Sequence, residues 1–315
     1  MKVFVTGGAG FIGSNLVDAL VARGDDVEVL DDLSTGRREN LARALSRGAV
    51  LREGDVRDGE RVAALVAAAA PDVLFHLAAQ IDVRRAVADP GFDADVNVGG
   101  TISVLEAARR AGVARVVNSS TGGAIYGEAS LIPTTEETVP APLAPYGQSK
   151  HAAEGYCALY GRLHGVSSVS LRYANVYGPR QDPHGEGGVV AIFCGKLVEG
   201  GRAVVFGAGS QTRDYVYVGD VVAANLAGAA SAWEGACNIG TGSETTVLEL
   251  AAALRGLARS GPLEVEHAPE RPGEVERSGV DPALARAVLG WEPRVGLAEG
   301  LRLTLASVDG GSHSD

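Results

Sequence analysis

The glycine-rich segment near the N-terminus constrains the fold more than any other feature of the sequence. The apolar run KVFVT predicts a strand over residues 2–6, and the apolar periodicity from Phe11 to Arg23 predicts a helix. Four glycines, at positions 7, 8, 10 and 13, connect the two with the overlapping spacings GxGxxG and GxxGxxG. Such backbone can turn tightly and approach a pyrophosphate at a helix N-terminus. The segment therefore predicts a dinucleotide-binding β-α-β unit.

The rest of the chain continues this alternation of apolar runs and helical patterns. Further strands are predicted over 26–30, 49–56, 72–79, 114–120, 166–173, 203–206, 213–218 and 236–240. Further helices are predicted over 61–69, 90–111, 146–164, 187–200 and 221–230, with two or three more in the remainder. Continuous apolar strands alternating with helices are typical of a parallel sheet covered on both faces. No linker is evident, so we expect any second domain to be interleaved with the first near the C-terminus.

The composition of the chain limits which binding partners and which cellular location we expect. The 315 residues carry a net charge of −11, which argues against nucleic acid or an anionic membrane as partner. No apolar run is long enough to cross a bilayer, and the N-terminus resembles a strand rather than a signal peptide, so we expect a cytoplasmic protein. The cysteines and histidines have no spacing typical of zinc or redox sites, so no metal is expected. Residues 309–315 are predicted to be disordered.

An acidic residue follows the second predicted strand where a ribose contact is expected. Asp31 lies 18 residues beyond Gly13, close to the offset of about 20 at which an acidic residue binds the ribose 2′-hydroxyl. Its charge would repel a 2′-phosphate, so the sequence favours NAD, although the nearby Arg37 and Arg38 leave NADP open. Asp31 could instead cap a helix. Asp55, at the end of the third strand, could contact adenine or cap the helix after it.

Tyr146 and Lys150 form a candidate proton-transfer pair. Their spacing of four places both side chains on one face of a helix. A free tyrosine has a pKa of about 10 and is a poor base at neutral pH. A neighbouring ammonium and a positively charged nicotinamide would lower that pKa and favour the phenolate. An ordinary surface pair is the alternative, which the dinucleotide loop earlier in the chain makes less attractive.

Several motifs together resemble the extended short-chain dehydrogenase/reductase family, in its nucleotide-sugar epimerase branch. They are TGGAGFIG near the start, HLAA at 76–79, NVGGT at 97–101, YGQSK at 146–150, LRYANVYGPRQ at 171–181 and RDYVYVGDV at 213–221. The resemblance implies an α/β fold, a Rossmann-type doubly wound parallel sheet with a smaller, interleaved C-terminal substrate-binding domain. The implied division is an NAD-binding domain over 1–174, to which residues 213–240 return, and a mainly nucleotide-sugar-binding domain over 175–308.

The same resemblance implies an activity. The expected enzyme is an NAD-dependent UDP-sugar 4-epimerase that interconverts UDP-glucose and UDP-galactose through a 4-keto intermediate. Tyr146 would take the proton of the sugar 4-hydroxyl, and Lys150 would also contact the nicotinamide ribose. The alternatives are a UDP-glucuronate 4-epimerase, another nucleotide-sugar 4-epimerase and, more distantly, a non-catalytic NAD-binding regulator. Relatives dimerise through two helices per subunit, so the resemblance also implies a homodimer formed by helices over 90–111 and 146–164.

Positions that match the family's cofactor contacts are spread over the predicted strand ends. They are Gly7, Gly10, Phe11, Ile12, Gly13, Asp31, Asp32, Ser34, Gly36, Asp55, Val56, Leu77, Ala78, Ala79, Gln80, Asn97, Ser119, Tyr146, Lys150, Tyr173 and Val176. The last two of these are expected to border the nicotinamide.

Positions that match the family's nucleotide-sugar contacts lie mostly in the second half. They are Thr121, Tyr146, Asn175, Val189, Val190, Val204, Phe206, Arg213, Arg271 and Glu274. Arg213 and Arg271 are expected to clamp the diphosphate, a role that suits the forked guanidinium group. Glu274 would bind a ribose hydroxyl, and Phe206 would stack on uracil. Surface charge and ordinary core packing are the alternatives for these arginines and aliphatic residues.

The strand end NSSTGG bears on both the catalytic hydroxyl and the reaction. Relatives commonly place the catalytic Ser or Thr four residues before the Tyr of a YG pair, but that position is Gly122 here. Counting along the strand instead gives Thr121 as the catalytic hydroxyl, with Ser120 as the alternative and Ser119 as a cofactor-side contact. Similar dehydratases carry Asp-Glu directly after this Thr, and decarboxylases carry a Glu in the region. Gly122 and Gly123 stand there in this chain, so elimination lacks its acid and base.

Overall fold

A parallel sheet of seven strands forms the centre of the computed structural model, which describes residues 1–183, 188–257, 263–269 and 275–311. The strands are β1 (Lys2–Thr6), β2 (Asp26–Asp31), β3 (Val50–Glu53), β4 (Val73–His76), β5 (Arg115–Thr121), β6 (Ser168–Tyr173), β7 (Asn175–Tyr177), β8 (Arg202–Phe206), β9 (Thr212–Arg213), β10 (Tyr215–Tyr217), β11 (Gly235–Ile239), β12 (Thr245–Thr246) and β13 (Glu264–Ala268). The central sheet has the order β11-β6-β5-β4-β1-β2-β3. This is the doubly wound arrangement that the sequence predicted.

Helices cover both faces of that sheet. They are α1 (Phe11–Ala22), α2 (Ala42–Leu45), α3 (Gly59–Ala69), α4 (Val83–Ala88), α5 (Pro90–Ala94), α6 (Gly100–Ala111), α7 (Gly122–Ile125), α8 (Pro145–His164), α9 (Val189–Glu199), α10 (Val218–Ala230), α11 (Val247–Leu257), α12 (Ala283–Leu289) and α13 (Leu297–Gly311). A 3₁₀ turn, Arg38–Leu41, precedes α2, and a π-helical turn, Asp95–Gly99, joins α5 to α6. No helix in the described part of the chain is long and apolar enough to cross a membrane.

Two apolar clusters bury the two faces of the sheet. Alternate residues of β1 point to opposite sides, so Val5 belongs to one cluster and Phe4 to the other. Leu16 of α1 is fully buried in the first cluster and Val104 of α6 in the second. The strands read as continuous apolar runs because both of their faces are covered.

The carboxyl ends of the parallel strands meet at one edge of the sheet. β1 ends beside the glycine loop, β2 ends at Asp31, β4 at His76, β5 at Thr121 and β6 at Tyr173. The chain reverses its direction of winding between β1 and β4, and ligands of doubly wound sheets bind in the crevice at such a point. Most of the predicted cofactor positions therefore lie along a single edge.

The second half of the chain both extends the main sheet and builds a smaller unit. β11 pairs in parallel with β6 and so returns to the main sheet. β8 and β13 form a separate two-stranded sheet that shares a third apolar cluster with α9, α11 and α13. Phe193 of α9 and Leu250 of α11 are fully buried in this cluster. β7 pairs with β10, and β9 pairs with β12.

Three elements differ from their predictions. The helix expected over 90–111 is divided into α5, the π-helical turn and α6. β13 was not predicted because its sequence, EVEHA, is mostly exposed and lacks an apolar run. Helix α13 continues to Gly311, so the disorder expected from residue 309 is wrong for residues 309–311, and residues 312–315 lie outside the described part.

Candidate active site

The glycine loop is closed so tightly that side chains would not fit at two of its positions. Gly7 has φ of +69°, and a Cβ there would lie 2.5 Å from the backbone nitrogen of Ala78. A Cβ on Gly13 would lie 2.1 Å from the carbonyl oxygen of Gly7. Glycine is therefore required by both conformation and contact, and backbone N–H groups at the start of α1 face the sheet edge. Phe11 and Ile12, also predicted contacts, are half-buried in the first turn of α1.

Asp31 is held in place at the end of β2 by the glycine loop. Its side chain is 6% exposed and accepts hydrogen bonds from the N–H groups of Ala9, at 2.8 Å, and Leu33, at 2.9 Å. Burial raises the pKa of Asp31, and these two hydrogen bonds oppose that rise. A Cβ on Gly36 would lie 2.7 Å from Asp31 Oδ1, so Gly36 keeps the carboxylate accessible. Asp31 does not cap a helix, and this arrangement suits a ribose diol.

The neighbouring acidic positions have local partners. Asp32 accepts hydrogen bonds from both the N–H and the hydroxyl of Ser34. Asp55 pairs with Arg57, and hydrogen bonds from Arg57 lower its pKa. Helix α3 is capped by Asp58 rather than by Asp55, which removes the capping role considered for Asp55.

The two arginines that left NADP open each have another carboxylate as partner. Arg37 donates to Asp182 at 3.0 Å, and Arg38 lies 3.8 Å from Glu53.

The loop after β4 lies directly against the glycine loop. Leu77 N–H donates to the Thr6 carbonyl at 3.0 Å, and Ala78 N–H donates to the Thr6 hydroxyl at 3.3 Å. Ala79 is half-buried and Gln80 is buried. Val56, the remaining predicted contact on this side, is buried in the second apolar cluster.

Asn97 is fully engaged with other parts of the protein. Its Oδ1 accepts from Gln80 N–H at 2.9 Å, and its Nδ2 donates to the Gln80 carbonyl at 3.0 Å and to Ser149 Oγ at 3.0 Å. The sequence predicted a cofactor contact, but these bonds make the Asn97 side chain a structural link between the loop after β4 and helix α8.

Only one of the three hydroxyls at the end of β5 faces Tyr146. Ser119 Oγ donates to the His76 carbonyl at 3.0 Å, and Ser120 Oγ donates to Glu154 Oε1 at 2.6 Å. The Thr121 side chain instead hydrogen bonds with the Tyr146 phenol and thereby lowers its pKa. This geometry favours Thr121 over Ser120 as the hydroxyl that acts with Tyr146.

The protein groups alone keep Tyr146 protonated. Burial raises its pKa to about 12, and the negative charge of Asp93 adds to the rise. Lys150 donates to the Ser119 carbonyl at 2.9 Å, and burial lowers the pKa of Lys150 to about 8. These protein groups by themselves therefore raise the tyrosine pKa. The lowering that the sequence predicted from the ammonium together with a positively charged nicotinamide stays a prediction.

A buried ion pair lies behind the catalytic strand and was not predicted. Glu154, one helical turn beyond Lys150, accepts hydrogen bonds from Arg172 Nε at 2.9 Å and Nη2 at 2.7 Å. Arg172 also donates to the Tyr126 hydroxyl at 2.8 Å. Burial lowers the pKa of Arg172, but the Glu154 hydrogen bonds more than compensate and leave it raised. With Ser120 bonded to the same carboxylate, the pair ties α8 to β5 and β6.

A second unpredicted element is a chain of hydrogen bonds through His76. Thr6 Oγ1 lies 2.7 Å from His76 Nδ1, and His76 Nε2 lies 3.0 Å from Thr101 Oγ1. Thr101 donates its own proton to the Asn97 carbonyl, so it accepts from Nε2–H, and Thr6 donates to Nδ1. Burial lowers the pKa of His76 to about 3, so the ring is neutral. In the sequence, the only sign of this group is that a polar residue, His76, ends the apolar run VLFH.

The predicted sugar side of the site is only partly built from the described residues. Asn175 Oδ1 is buried without a hydrogen-bond partner in the described structure, and the nearest atom to a Cβ on Gly123 would be this oxygen, at 3.4 Å. Arg213 Nη1 donates to the Thr212 carbonyl at 2.8 Å. Arg271 and Glu274 lie outside the described residues.

The apolar residues predicted for the sugar side divide into two groups. Val204 is 42% exposed and Phe206 is half-buried, both on the outward face of β8. Val189 is half-buried, whereas Val190 is fully buried in the third apolar cluster and serves the core. The Tyr173 hydroxyl donates to Asn225 at 3.0 Å, so it points into α10. Val176 is half-buried on β7.

Comparisons with known proteins agree with this site. A profile of the NAD dependent epimerase/dehydratase family matches residues 3–240. The chain is 49% identical over 307 residues to a UDP-glucose 4-epimerase of Mycolicibacterium smegmatis, covering 97% of each. The structure of a Thermotoga maritima UDP-glucose 4-epimerase with UDP-glucose superposes with a TM-score of 0.94, at 43% identity over 99% of this chain and 100% of that one. A Thermus thermophilus UDP-glucose 4-epimerase in complex with NAD gives a TM-score of 0.91, at 46% identity over 98% and 99%.

Proposed function

The chain belongs to the NAD dependent epimerase/dehydratase family, and we propose that it is a UDP-glucose 4-epimerase that interconverts UDP-glucose and UDP-galactose. The observation that carries this proposal is the 49% identity, over 97% of both chains, to a protein of that name. The hydrogen bond between Thr121 and Tyr146 supports it, because it places a hydroxyl beside the phenol where a sugar 4-oxygen would be activated.

The edge of the sheet fits NAD. A Cβ on Gly7 or Gly13 would collide with backbone, so glycine at these positions lets the loop pack tightly against the start of α1 and the loop after β4, which is the form in which such loops bind a pyrophosphate. Asp31 is buried with its carboxylate fixed by two backbone N–H groups, as a ribose contact requires. NAD+ bound along this edge would accept the hydride from the sugar C4 and return it. The cofactor contacts predicted from the sequence remain our proposed set, with Asn97 and Tyr173 acting through their protein neighbours.

Tyr146 performs the proton transfer in the proposed reaction. It takes the proton from the sugar O4 and later returns it, and Thr121 stabilises the charged oxygen by donating a hydrogen bond. Lys150, fixed by the Ser119 carbonyl, is placed to bind the ribose next to the nicotinamide. Each of the three side chains is anchored by a buried strand end or by α8, so the group is pre-organised.

The segment after Thr121 favours epimerisation over elimination. Gly122 and Gly123 supply no acid or base, and a Cβ on Gly122 would lie 2.9 Å from Val280 and 3.0 Å from the Arg172 carbonyl. A larger residue at 122 would therefore be disfavoured. Without further acid–base groups there, return of hydride and proton to the 4-keto sugar is the step that the chain supports.

On the sugar side, the proposed contacts are those predicted from the sequence. Asn175 supports the assignment because its buried Oδ1 lacks a partner in the described structure. Arg213 and Arg271 are proposed for the diphosphate, Glu274 for a ribose hydroxyl, and Phe206 for the uracil. Val204 and Val189 are accessible enough to line the site.

We further propose that the protein acts in the cytoplasm as a homodimer. Helices α6 and α8, which fall within the two segments predicted to form the interface, pack side by side. The dimer can be tested by measuring the molecular mass of the protein in solution. A mass equal to that of the monomer at the concentrations used in the activity assay would contradict this proposal.

A panel of nucleotide sugars tests the activity directly. UDP-glucose, UDP-galactose, UDP-glucuronate and UDP-GalNAc would each be incubated with the protein, and the products identified by chromatography and NMR. We expect interconversion of the first two and none in the matched variant Tyr146→Phe. Exclusive turnover of UDP-glucuronate or UDP-GalNAc would replace the proposed substrate. No turnover of any sugar by NAD-loaded protein would favour a binding role instead.

A further inference from the structure

Asp93 is a buried carboxylate beside the catalytic helix, and the proposed reaction does not use it. It lies on α5, which packs against α8, and its side chain is 1% exposed. Its Oδ1 accepts hydrogen bonds from Gln80 Nε2 at 2.9 Å and from Asn97 Nδ2 at 3.1 Å. Its Oδ2 is buried and has no partner among the described residues. Burying a carboxylate with one oxygen unpaired costs folding free energy, so we expect a function that explains why this residue is an aspartate.

Hydrogen bonds connect Asp93 to the first turn of α8. Asn97, held by Asp93, donates to Ser149 Oγ at 3.0 Å, and Ser149 Oγ donates to the Tyr146 carbonyl at 2.9 Å. Asn97 lies in the π-helical turn. Such turns are rare in proteins, and those that occur are frequently found at functional sites. The widened turn brings this side chain between the loop after β4 and α8. Asp93 therefore helps to fix the helix turn that carries Tyr146.

The charge of Asp93 also reaches both members of the proton-transfer pair. It raises the pKa of Lys150, against the larger lowering by burial, and it raises the pKa of Tyr146 in addition to burial. The ionisable groups on the elements packed against α5 are Arg84 and Arg85 on α4, Asp95 in the π-helical turn, and Tyr146, Lys150, His151 and Glu154 in the first half of α8. Asp95 is exposed and so is screened by solvent.

We propose that Asp93 is a positioning residue of the active site, whose buried carboxylate anchors Asn97 beneath the first turn of α8 and supplies the negative charge that faces Lys150 and Tyr146. The inference rests on the proposed epimerase function, because it assigns Asp93 to the same proton-transfer site. It makes Asp93 the first of the groups, with Cys157 and Glu154, that oppose the lowering of the Lys150 pKa by burial.

The test is the near-isosteric variant Asp93→Asn, which removes the charge and retains an acceptor for Gln80 and Asn97. Without the charge, both pKa values fall. The acidic and the alkaline limb of the pH profile of kcat/KM should therefore move together to lower pH by about 1 unit, which is the shift that a unit charge produces across roughly 10 Å at an effective dielectric constant of about 20. The KM for UDP-glucose should change less than twofold, and near-UV titration of the Tyr146 phenolate, with Tyr146→Phe as blank, should show the same downward shift.

Asp95→Asn is the matched control, because it removes an equal charge from an exposed site two residues away and should leave the profile in place. Asp93→Ser replaces Asp93→Asn if the latter does not fold. A purely structural role would lower kcat at every pH without moving the limbs, and that result would overturn the proposal. If the wild-type protein proves inactive on every sugar, the proposed function fails, but the phenolate titration still decides whether Asp93 acts on Tyr146.

Discussion

The hydroxyl that acts with Tyr146 can be identified by changing Thr121 and Ser120 separately. Thr121→Val keeps the shape of the side chain and its preference for a strand but removes the hydroxyl. Ser120→Ala removes the neighbouring hydroxyl, which donates to Glu154 at 2.6 Å. Thr121→Ser is the matched control, because it restores a hydroxyl at the same position.

The size of the effect follows from the partner that each hydroxyl contacts. Thr121 hydrogen bonds with the Tyr146 phenol, and the bond strengthens when the phenol or the sugar oxygen becomes charged. A hydrogen bond to a charged group contributes about 1.5–3 kcal/mol, so Thr121→Val should lower kcat roughly 10- to 150-fold. Ser120 bonds to a carboxylate that Arg172 also holds, so Ser120→Ala should cost about 1–3 kcal/mol of folding stability and change kcat little.

Initial rates of UDP-galactose conversion, with bound NAD quantified spectroscopically, separate these outcomes. Thr121→Val should retain NAD and a KM close to that of the wild type while kcat falls. Urea denaturation should reveal the instability of Ser120→Ala. Near-normal turnover by Thr121→Val together with a large loss in Ser120→Ala would refute the reasoning and move the role to Ser120.

Three further predictions follow from the buried groups. Glu154→Gln leaves the buried Arg172 guanidinium without its counter-charge. It should lower the free energy of unfolding in urea by about 3–5 kcal/mol. A loss of unfolding free energy smaller than that caused by breaking an exposed ion pair would contradict this prediction. Gly13→Ala should abolish NAD retention because its Cβ would collide with backbone, whereas Gly256→Ala, with open space around it, should retain the cofactor. Since the pKa of His76 is lowered to about 3 in the folded protein, the unfolded state binds one more proton below pH 6.5; stability should therefore fall by about 1.4 kcal/mol per pH unit as pH decreases from 6.5 towards 3. Replacing His76 by Gln should remove that slope from acid-unfolding curves.

Local patterns were sufficient to predict the sheet and the phosphate loop. Most strands of the main sheet are buried on both faces, so they appear in the sequence as continuous apolar runs, and Gly13 is fixed by contacts within one β-α unit. The two-residue strands β9 and β12 and the polar edge strand β13 have no comparable signal. Their pairing depends on segments far apart in the chain.

The supporting groups of the site were beyond sequence reasoning because their roles arise from packing. His76, Asp93 and Glu154 are polar residues in otherwise ordinary strand and helix patterns. Only the fold brings His76 into contact with Thr6, Asp93 with Asn97, and Glu154 with Arg172. The partners of Ser119 and Ser120 also arise from packing, although counting along the strand already favoured Thr121. Alternation along β5 gives each hydroxyl a different neighbour.

The proton affinity of Tyr146 is where the sequence-based expectation and the structure differ most. Burial and Asp93 both raise its pKa, and the Thr121 hydrogen bond offsets only part of the rise. The Lys150 ammonium donates to the Ser119 carbonyl at 2.9 Å. If Tyr146 is the base that we propose, a further positive charge beside it would favour its phenolate, and the oxidised nicotinamide ring carries one. Under the proposed function, proton abstraction by Tyr146 would therefore be favoured in the protein that already holds its hydride acceptor.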